Sequence, residues 1–216
     1  EEFVGQEHLV GKDGPIKKFI ETGTLPSMIF WGPPGTGKTT LAYIISKKID
    51  ADFHKLSAVM SGKKDLRSII VKALKYFKEN DQTKKRKTIL FLDEIHRWNK
   101  AQQDALLPYV EKGVIILIGA TTENPSFSLI PALLSRARVF TFNKHSPVDV
   151  ENYLRVLFPK LASNNEKLRI SDDSVEFIAK ASDGDLRVAA NILETAINFA
   201  GEKAEITKDI LKKTVE

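Results

Sequence analysis

Apolar residues along this chain follow two regimes. Between residues 27 and 142, solid apolar runs alternate with segments whose apolar residues recur every three or four positions. The runs are Ser27–Trp31, Thr88–Leu92, Val114–Thr122 and Val139–Phe142, and the mixed segment 51–57 reads as a further strand. Such short, continuous runs predict buried strands. The spaced segments predict helices. Thr40–Lys48 is one, and 64–79 is another, with Leu66, Ile69, Ile70, Ala73, Leu74 and Phe77 on one face. Lys100–Glu111 is a third, capped by Asn99, kinked at Pro108 and stopped by Gly113. Ala132–Arg138 reads as a short helix or turn. Upstream, residues 3–11 read as extended with breaks at Gly5 and Gly11. A helix over Ile16–Glu21 follows, opened by Pro15 and closed by Gly23. Strands alternating with helices predict an α/β fold with a doubly wound parallel sheet.

After Asn143 the pattern predicts helices only. They are Val148–Phe158 behind Ser146 and Pro147, and Asp172–Ala181 behind Ser171. Leu186–Ala200 follows Asp183-Gly184-Asp185 and stops at Gly201, and a last helix follows Thr207. A domain boundary is therefore expected near residue 144, separating an α/β domain (1–143) from a small all-helical one (144–216).

Composition narrows the function classes. The 216 residues carry 33 Lys+Arg against 28 Asp+Glu, a net charge of +5, compatible with a nucleic-acid partner but equally with a solvated surface. Lys84-Lys85-Arg86-Lys87 reads first as a solvated run and second as a DNA contact. With no cysteine, disulfides and thiolate metal sites are excluded. No apolar stretch reaches membrane-spanning length and no signal peptide is visible, so an intracellular protein is expected. The opening residues Glu1-Glu2-Phe3-Val4-Gly5-Gln6 resemble the interior of a folded unit, so the chain reads as a trimmed fragment.

Two stretches carry chemistry. Gly32-Pro33-Pro34-Gly35-Thr36-Gly37-Lys38-Thr39 fits G-x-x-x-x-G-K-[ST] between a predicted strand and the helix that includes Thr40. Its glycines let successive backbone N–H groups face an anion, and the helix N-terminus adds partial positive charge. Lys38 is placed to reach the β and γ phosphates of a nucleotide, and the Thr39 hydroxyl to hold Mg2+. Val4 and its neighbours are candidates to line a purine pocket. The second stretch is Thr88-Ile89-Leu90-Phe91-Leu92-Asp93-Glu94, a strand delivering two carboxylates to the edge where α/β sheets bind ligands. Asp93 is expected to bind Mg2+, directly or through water. Glu94 is expected to deprotonate or orient the attacking water. His96 has no second His or Cys at ligand spacing and is not expected to hold a metal.

These motifs, with Ile118-Gly119-Ala120-Thr121-Thr122-Glu123-Asn124-Pro125 and Leu133-Leu134-Ser135-Arg136, resemble an AAA+ ATPase with a helical lid. The run Asp93-Glu94-Ile95-His96-Arg97-Trp98-Asn99-Lys100 sharpens this. It is similar to the RarA/MgsA family of replication-associated recombination proteins, whose eukaryotic relative is the Werner-helicase-interacting protein. The resemblance implies that Thr122, or else Asn124, is sensor 1, orienting the water. It implies that Arg136 is an arginine finger entering a neighbouring subunit, and that Arg187 is sensor 2, closing the lid on nucleotide. Where clamp loaders place an Asn that restrains the catalytic Glu, this chain has Ser57.

The resemblance further implies a DNA-stimulated Mg-ATP hydrolase acting at stalled forks, DNA ends and single-/double-strand junctions, in the cytoplasm of a bacterium or the nucleus of a eukaryote. Single-stranded-DNA-binding protein and replisome components are the implied protein partners, with no membrane partner. The family's C-terminal helical domain makes homotetramers. Stopping in the lid, this chain is expected to lack that domain, to be a monomer, and to be a poor ATPase. The alternatives are a clamp-loader subunit and a regulatory module that holds ATP without hydrolysing it.

Overall fold

A computed structural model describes residues 3–58, 62–78, 86–163, 167–200 and 205–215. The described residues form two compact units. One takes in the described residues of Gln6–Gly32 and Lys38–Phe142, the other those of 3–5, Pro33–Gly37 and 143–215.

The first unit begins with α1 (Glu7–Val10) and α2 (Pro15–Thr22). The expected extended segment over 3–11 is thus broken by a helical turn. Gln6 turns the chain at φ 56, and its carbonyl accepts from the N–H groups of Leu9 and Val10. Leu9 is buried by that turn, too short to leave a periodicity in the sequence. Then follow β1 (Ser27–Trp31), α3 (Lys38–Lys48), β2 (Asp52–Ser57), α4 (Lys63–Lys78) and β3 (Thr88–Asp93). A 3-10 turn, Ile95–Arg97, leads to α5 (Lys100–Asp104) and α6 (Leu107–Glu111). The expected kinked helix over 100–111 is a full break. Pro108 has no N–H to donate, and its ring excludes the carbonyl four residues earlier. After β4 (Ile116–Thr121), α7 (Pro125–Ser128) and α8 (Pro131–Leu134), β5 (Ala137–Thr141) closes the unit.

Among the described residues these strands make one five-stranded sheet, parallel throughout, in the order β2-β3-β4-β1-β5. Ile29, Phe30, Leu90, Phe91, Leu92, Leu117 and Ile118 are all fully buried, as continuous apolar strands require when both faces are covered. Because the strands are parallel, the residues that follow β1, β3 and β4 emerge on one rim.

The second unit contains α9 (Pro147–Leu161), β6 (Arg169–Ile170), α10 (Asp172–Ala181), α11 (Leu186–Ala200), β7 (Glu205–Ile206) and α12 (Lys208–Val215). Ser146 and Asp149 form a reciprocal capping box at the start of α9, and the Ser171 hydroxyl accepts from Ser174 N–H at the start of α10. Val150, Leu154, Ile178, Ala189, Leu193 and Leu211 share its apolar core. The expectation of helices only is corrected by β6 and β7, which pair in parallel. Two-residue strands are too short to show alternation, and what fixes them is the burial of Ile206.

The polar loop expected over 80–87 lies outside the described residues up to Lys85, as do the opening Glu1-Glu2 and the helix stop at Gly201. Of the basic run, Arg86 pairs with Asp50 at 3.1 Å and Lys87 donates to the Gly23 carbonyl. No helix among the described residues is long and apolar enough to cross a membrane.

Candidate functional site

The glycine-rich loop leaves the sheet at the end of β1, where Gly32 N–H donates to the Thr121 carbonyl at 3.1 Å. Lys38 opens α3. Its side chain is buried, and its ammonium donates to the Gly32 carbonyl at 2.7 Å, so the lysine is folded over its own loop. Thr39 is half-buried and Thr40 exposed on the same first turn. Between them and Gly32, Pro33–Gly37 turns sharply, with Pro34 exposed and the buried Thr36 hydroxyl donating to the Pro33 carbonyl at 2.9 Å. Gly35 and Gly37 are needed for both space and conformation. A Cβ at Gly35 (φ +67) would lie 1.8 Å from an Asp185 carboxylate oxygen, and one at Gly37 (φ +90) 2.8 Å from the Phe3 ring. Val4, beside Phe3, is half-buried.

Asp93 is the last residue of β3, in register with Ser57 of β2. Its carboxylate lies 3.8 Å from the Lys55 ammonium. Glu94 follows in the left-handed region at φ 55, rare for a residue with a side chain. The buried Ile95 and Trp98 anchor the turn beyond it, which holds Glu94 at the rim. The Glu94 carboxylate lies 3.2 Å from His96 Nε2 and 4.0 Å from Arg97 Nε. The other ring nitrogen of His96, Nδ1, is 2.9 Å from the Thr121 hydroxyl.

Strand β4 ends at Thr121, one residue short of the expected Thr122. Thr121 is fully buried, and its hydroxyl accepts from Glu123 N–H at 3.0 Å. Thr122 is exposed just beyond. Asn124 is spent on local structure, its side-chain oxygen accepting from Ser126 N–H to cap α7.

Arg136, after α8, is exposed. Its Nε lies 2.7 Å from the Glu111 carboxylate, and it donates to the Ala132 carbonyl and Ser135 hydroxyl. Arg138 lies over the Phe19 ring at 5.1 Å. The segment leading to α8 is fixed by Gln103, buried on α5. Its amide donates to the Trp98 and Ser128 carbonyls and accepts from Ile130 N–H.

In the second unit, Asp185 caps α11, accepting from the N–H groups of Arg187 and Val188. The Arg187 guanidinium is exposed, 3.7 Å from the same carboxylate. Burial pushes the His145 imidazole below its ordinary value, opposed by the Asp149 charge, the Thr36 backbone and the Asp185 charge.

The sheet therefore brings Gly32, Lys38, Asp93, Glu94 and Thr122 to one rim, whereas Arg136 lies on an exposed segment after α8 and Arg138 is exposed on the edge strand β5. Sequence reasoning missed Thr121, Lys55, Glu111, Asp185 and the link through His96. Only the i, i+2 spacing of Glu94 and His96 hinted at that link, and such spacing has many readings.

Two family descriptions match the chain: "ATPase family associated with various cellular activities (AAA)" over residues 28–144, and "RCF1/5-like, AAA+ ATPase lid domain" over 162–197. The chain is 46% identical to replication-associated recombination protein A of Haemophilus influenzae, over 100% of its own length and 48% of that protein's. It is 48% identical to ATPase WRNIP1 of Dictyostelium discoideum, over 94% of its own length and 23% of that protein's. It thus spans at most about half the length of these relatives. Among solved structures, the Thermotoga maritima RuvB Holliday junction branch migration motor aligns with TM-score 0.76 and 29% identity, covering 98% of this chain and 69% of that one.

Proposed function

This chain belongs to the AAA ATPase family, as a member of its replication-associated recombination protein A branch, and from that premise we propose that it hydrolyses Mg-ATP and couples hydrolysis to DNA at stalled forks, DNA ends and single-/double-strand junctions. The observation that carries the proposal is the shared rim, with a phosphate loop at the end of β1 and an acidic pair at the end of β3, two strands away in a parallel sheet.

In this reading the nucleotide's β and γ phosphates replace the Gly32 carbonyl as partner of Lys38, while the amides of the loop face the phosphate oxygens. The Thr39 hydroxyl and Asp93 carboxylate are hard oxygen donors, the chemistry that suits a Mg2+ held by few protein ligands together with substrate phosphates. Bound there, the ion would neutralise charge on the phosphates. Glu94 takes a proton from the attacking water or orients it. Thr122 is the better sensor 1, because the Thr121 hydroxyl is already engaged by His96 and Glu123, and Asn124 caps a helix. Arg136 acts on a neighbouring copy's nucleotide, and Arg187 reads nucleotide from the lid. We take residues 1–143 as the nucleotide-binding domain and 144–216 as that lid.

The DNA half of the proposal is supported by the names of the relatives and by the modest positive charge. Homo-oligomers, single-stranded-DNA-binding protein and replisome components are the partners it implies. The test is ATP turnover by the natural full-length protein titrated with forked, single-stranded and blunt duplex DNA. Stimulation by forks or junctions is expected; a flat response to all three sinks the DNA reading and leaves the ATPase reading standing.

A further inference from the structure

Glu94 sits at a position where the backbone does little to aim its side chain. It follows the last ladder residue of β3 and precedes a single 3-10 turn, in a left-handed conformation. What aims the carboxylate must therefore be its side-chain partners. Arg97 is one, but its guanidinium is over half exposed and the separation is 4.0 Å, a geometry that contributes little. The other is His96, whose side chain is only 8% exposed and 3.2 Å away.

The imidazole is itself anchored. Nδ1 meets the Thr121 hydroxyl at 2.9 Å, and that hydroxyl oxygen accepts from the Glu123 N–H at 3.0 Å, while the Glu123 carbonyl, 3.2 Å away, competes with Nδ1 for its single proton. With the ring proton on Nε2, each donor in this chain finds an acceptor. Glu123 N–H donates to the Thr121 oxygen, the Thr121 hydroxyl to Nδ1, and Nε2–H to the Glu94 carboxylate. The Glu123 carboxylate, exposed and 3.7 Å from Nε2, is a second acceptor facing the same nitrogen.

We infer that His96 is a positioning residue for Glu94, tying the carboxylate that handles the attacking water to the end of β4 through Thr121. This inference rests on the proposed role of Glu94. Its consequence is that a displacement at the end of β4, one residue from Thr122, reaches the carboxylate through two side-chain contacts.

The test compares His96→Ala, His96→Leu and His96→Gln in the natural full-length protein. The readouts are the hydrolysis rate at saturating ATP, ATP affinity, and the melting temperature. The Gln amide can stand in for Nε2–H, whereas Leu fills the space without a donor. His96→Ala and His96→Leu are expected to slow turnover by about 10–100-fold, since misplacement of a reacting group by about an ångström costs that much. ATP affinity and melting temperature should stay at wild-type values, and His96→Gln should recover most of the rate. In a Glu94→Gln background, His96→Ala should add no further loss.

Wild-type turnover in either His96→Ala or His96→Leu overturns the inference. So does a rate loss that tracks affinity or melting temperature, or that is as large in His96→Gln as in His96→Leu. A full additional loss on top of Glu94→Gln does the same. If Glu94→Gln alone hydrolyses ATP normally, the role of Glu94 fails and this inference falls with it. If Glu94→Gln is inactive and His96→Ala is not, only this inference fails.

Discussion

The rim of the sheet and the exposed arginine segment hold their charged groups in opposite ways. At the rim, Glu94, His96 and Thr121 restrain one another, the last two buried or nearly so, and Lys38 is buried against its own loop. Between α8 and the edge strand β5, Arg136 is exposed beside a half-exposed Glu111, and Arg138, the second residue of β5, is exposed over the Phe19 ring. Groups meant for a nucleotide in their own subunit can be set in advance by internal partners, which is where preorganisation helps most. On the proposed reading, a group such as Arg136 that acts on a neighbour must be free to leave. An ion pair at the surface, worth about 0–1 kcal/mol, lets it go at little cost.

Substitutions can break or sharpen that contrast. The largest effect with ATP still bound is expected from Arg136→Ala in the assembled full-length protein. Turnover should fall by about 10³–10⁵-fold with ATP affinity nearly unchanged, and mixing with a Lys38→Ala protein should partly restore it, because each supplies what the other lacks. Wild-type turnover in Arg136→Ala would remove the in-trans role. Next come the rim residues. Glu94→Gln should lower the rate at saturating ATP by about 10²–10⁴-fold while ATP still binds, whereas Lys38→Ala should abolish binding or turnover. Equilibrium binding of a fluorescent ATP analogue separates the two.

Gln103→Leu should destabilise the first unit by about 1–3 kcal/mol, because it leaves buried carbonyl and N–H groups without their partner. Chemical denaturation reads this directly. Glu111→Gln should shift stability by less than about 1 kcal/mol. If it lowers stability as far as Gln103→Leu does, the arginine segment is as firmly held as the rim and the contrast is lost. The smallest effect concerns His145. Its folded-state value lies below the ordinary one, so the unfolded chain binds the proton more readily. The associated stability is complete above about pH 6.5, the unfolded value, and is lost as pH falls toward the folded value. Melting temperatures across that range should decline on acidification, and His145→Gln should flatten the decline.

Much of this protein is legible along the chain because the relevant signals are local. The strand–loop–helix around Lys38, the apolar run into Asp93-Glu94, and the Ser146 and Ser171 caps each depend on residues within a few positions of one another. Where features were misread, the pattern was too short to carry a period. A single turn at Glu7–Val10 and two-residue strands at 169–170 and 205–206 leave no repeat to find. The sequence predicts a kink at Pro108, whereas the chain breaks at 105–106 and Pro108 sits in the first turn of α6, because the extent of the break depends on how the flanking turns pack.

The amino-acid order thus determined that this protein has parallel strands, a phosphate loop, an acidic pair and a helical second half, because main-chain sterics, side-chain periodicity and capping act over short distances. Only the tertiary structure decided the strand order that places β4 between β1 and β3, the closeness of Thr121, His96 and Glu94, and the attachment of Arg136 to Glu111. Those relations join residues up to 90 positions apart in sequence, as Met28 beside Ile118 shows, and packing free energy, which depends on which surfaces meet rather than on which residues follow one another, selects them.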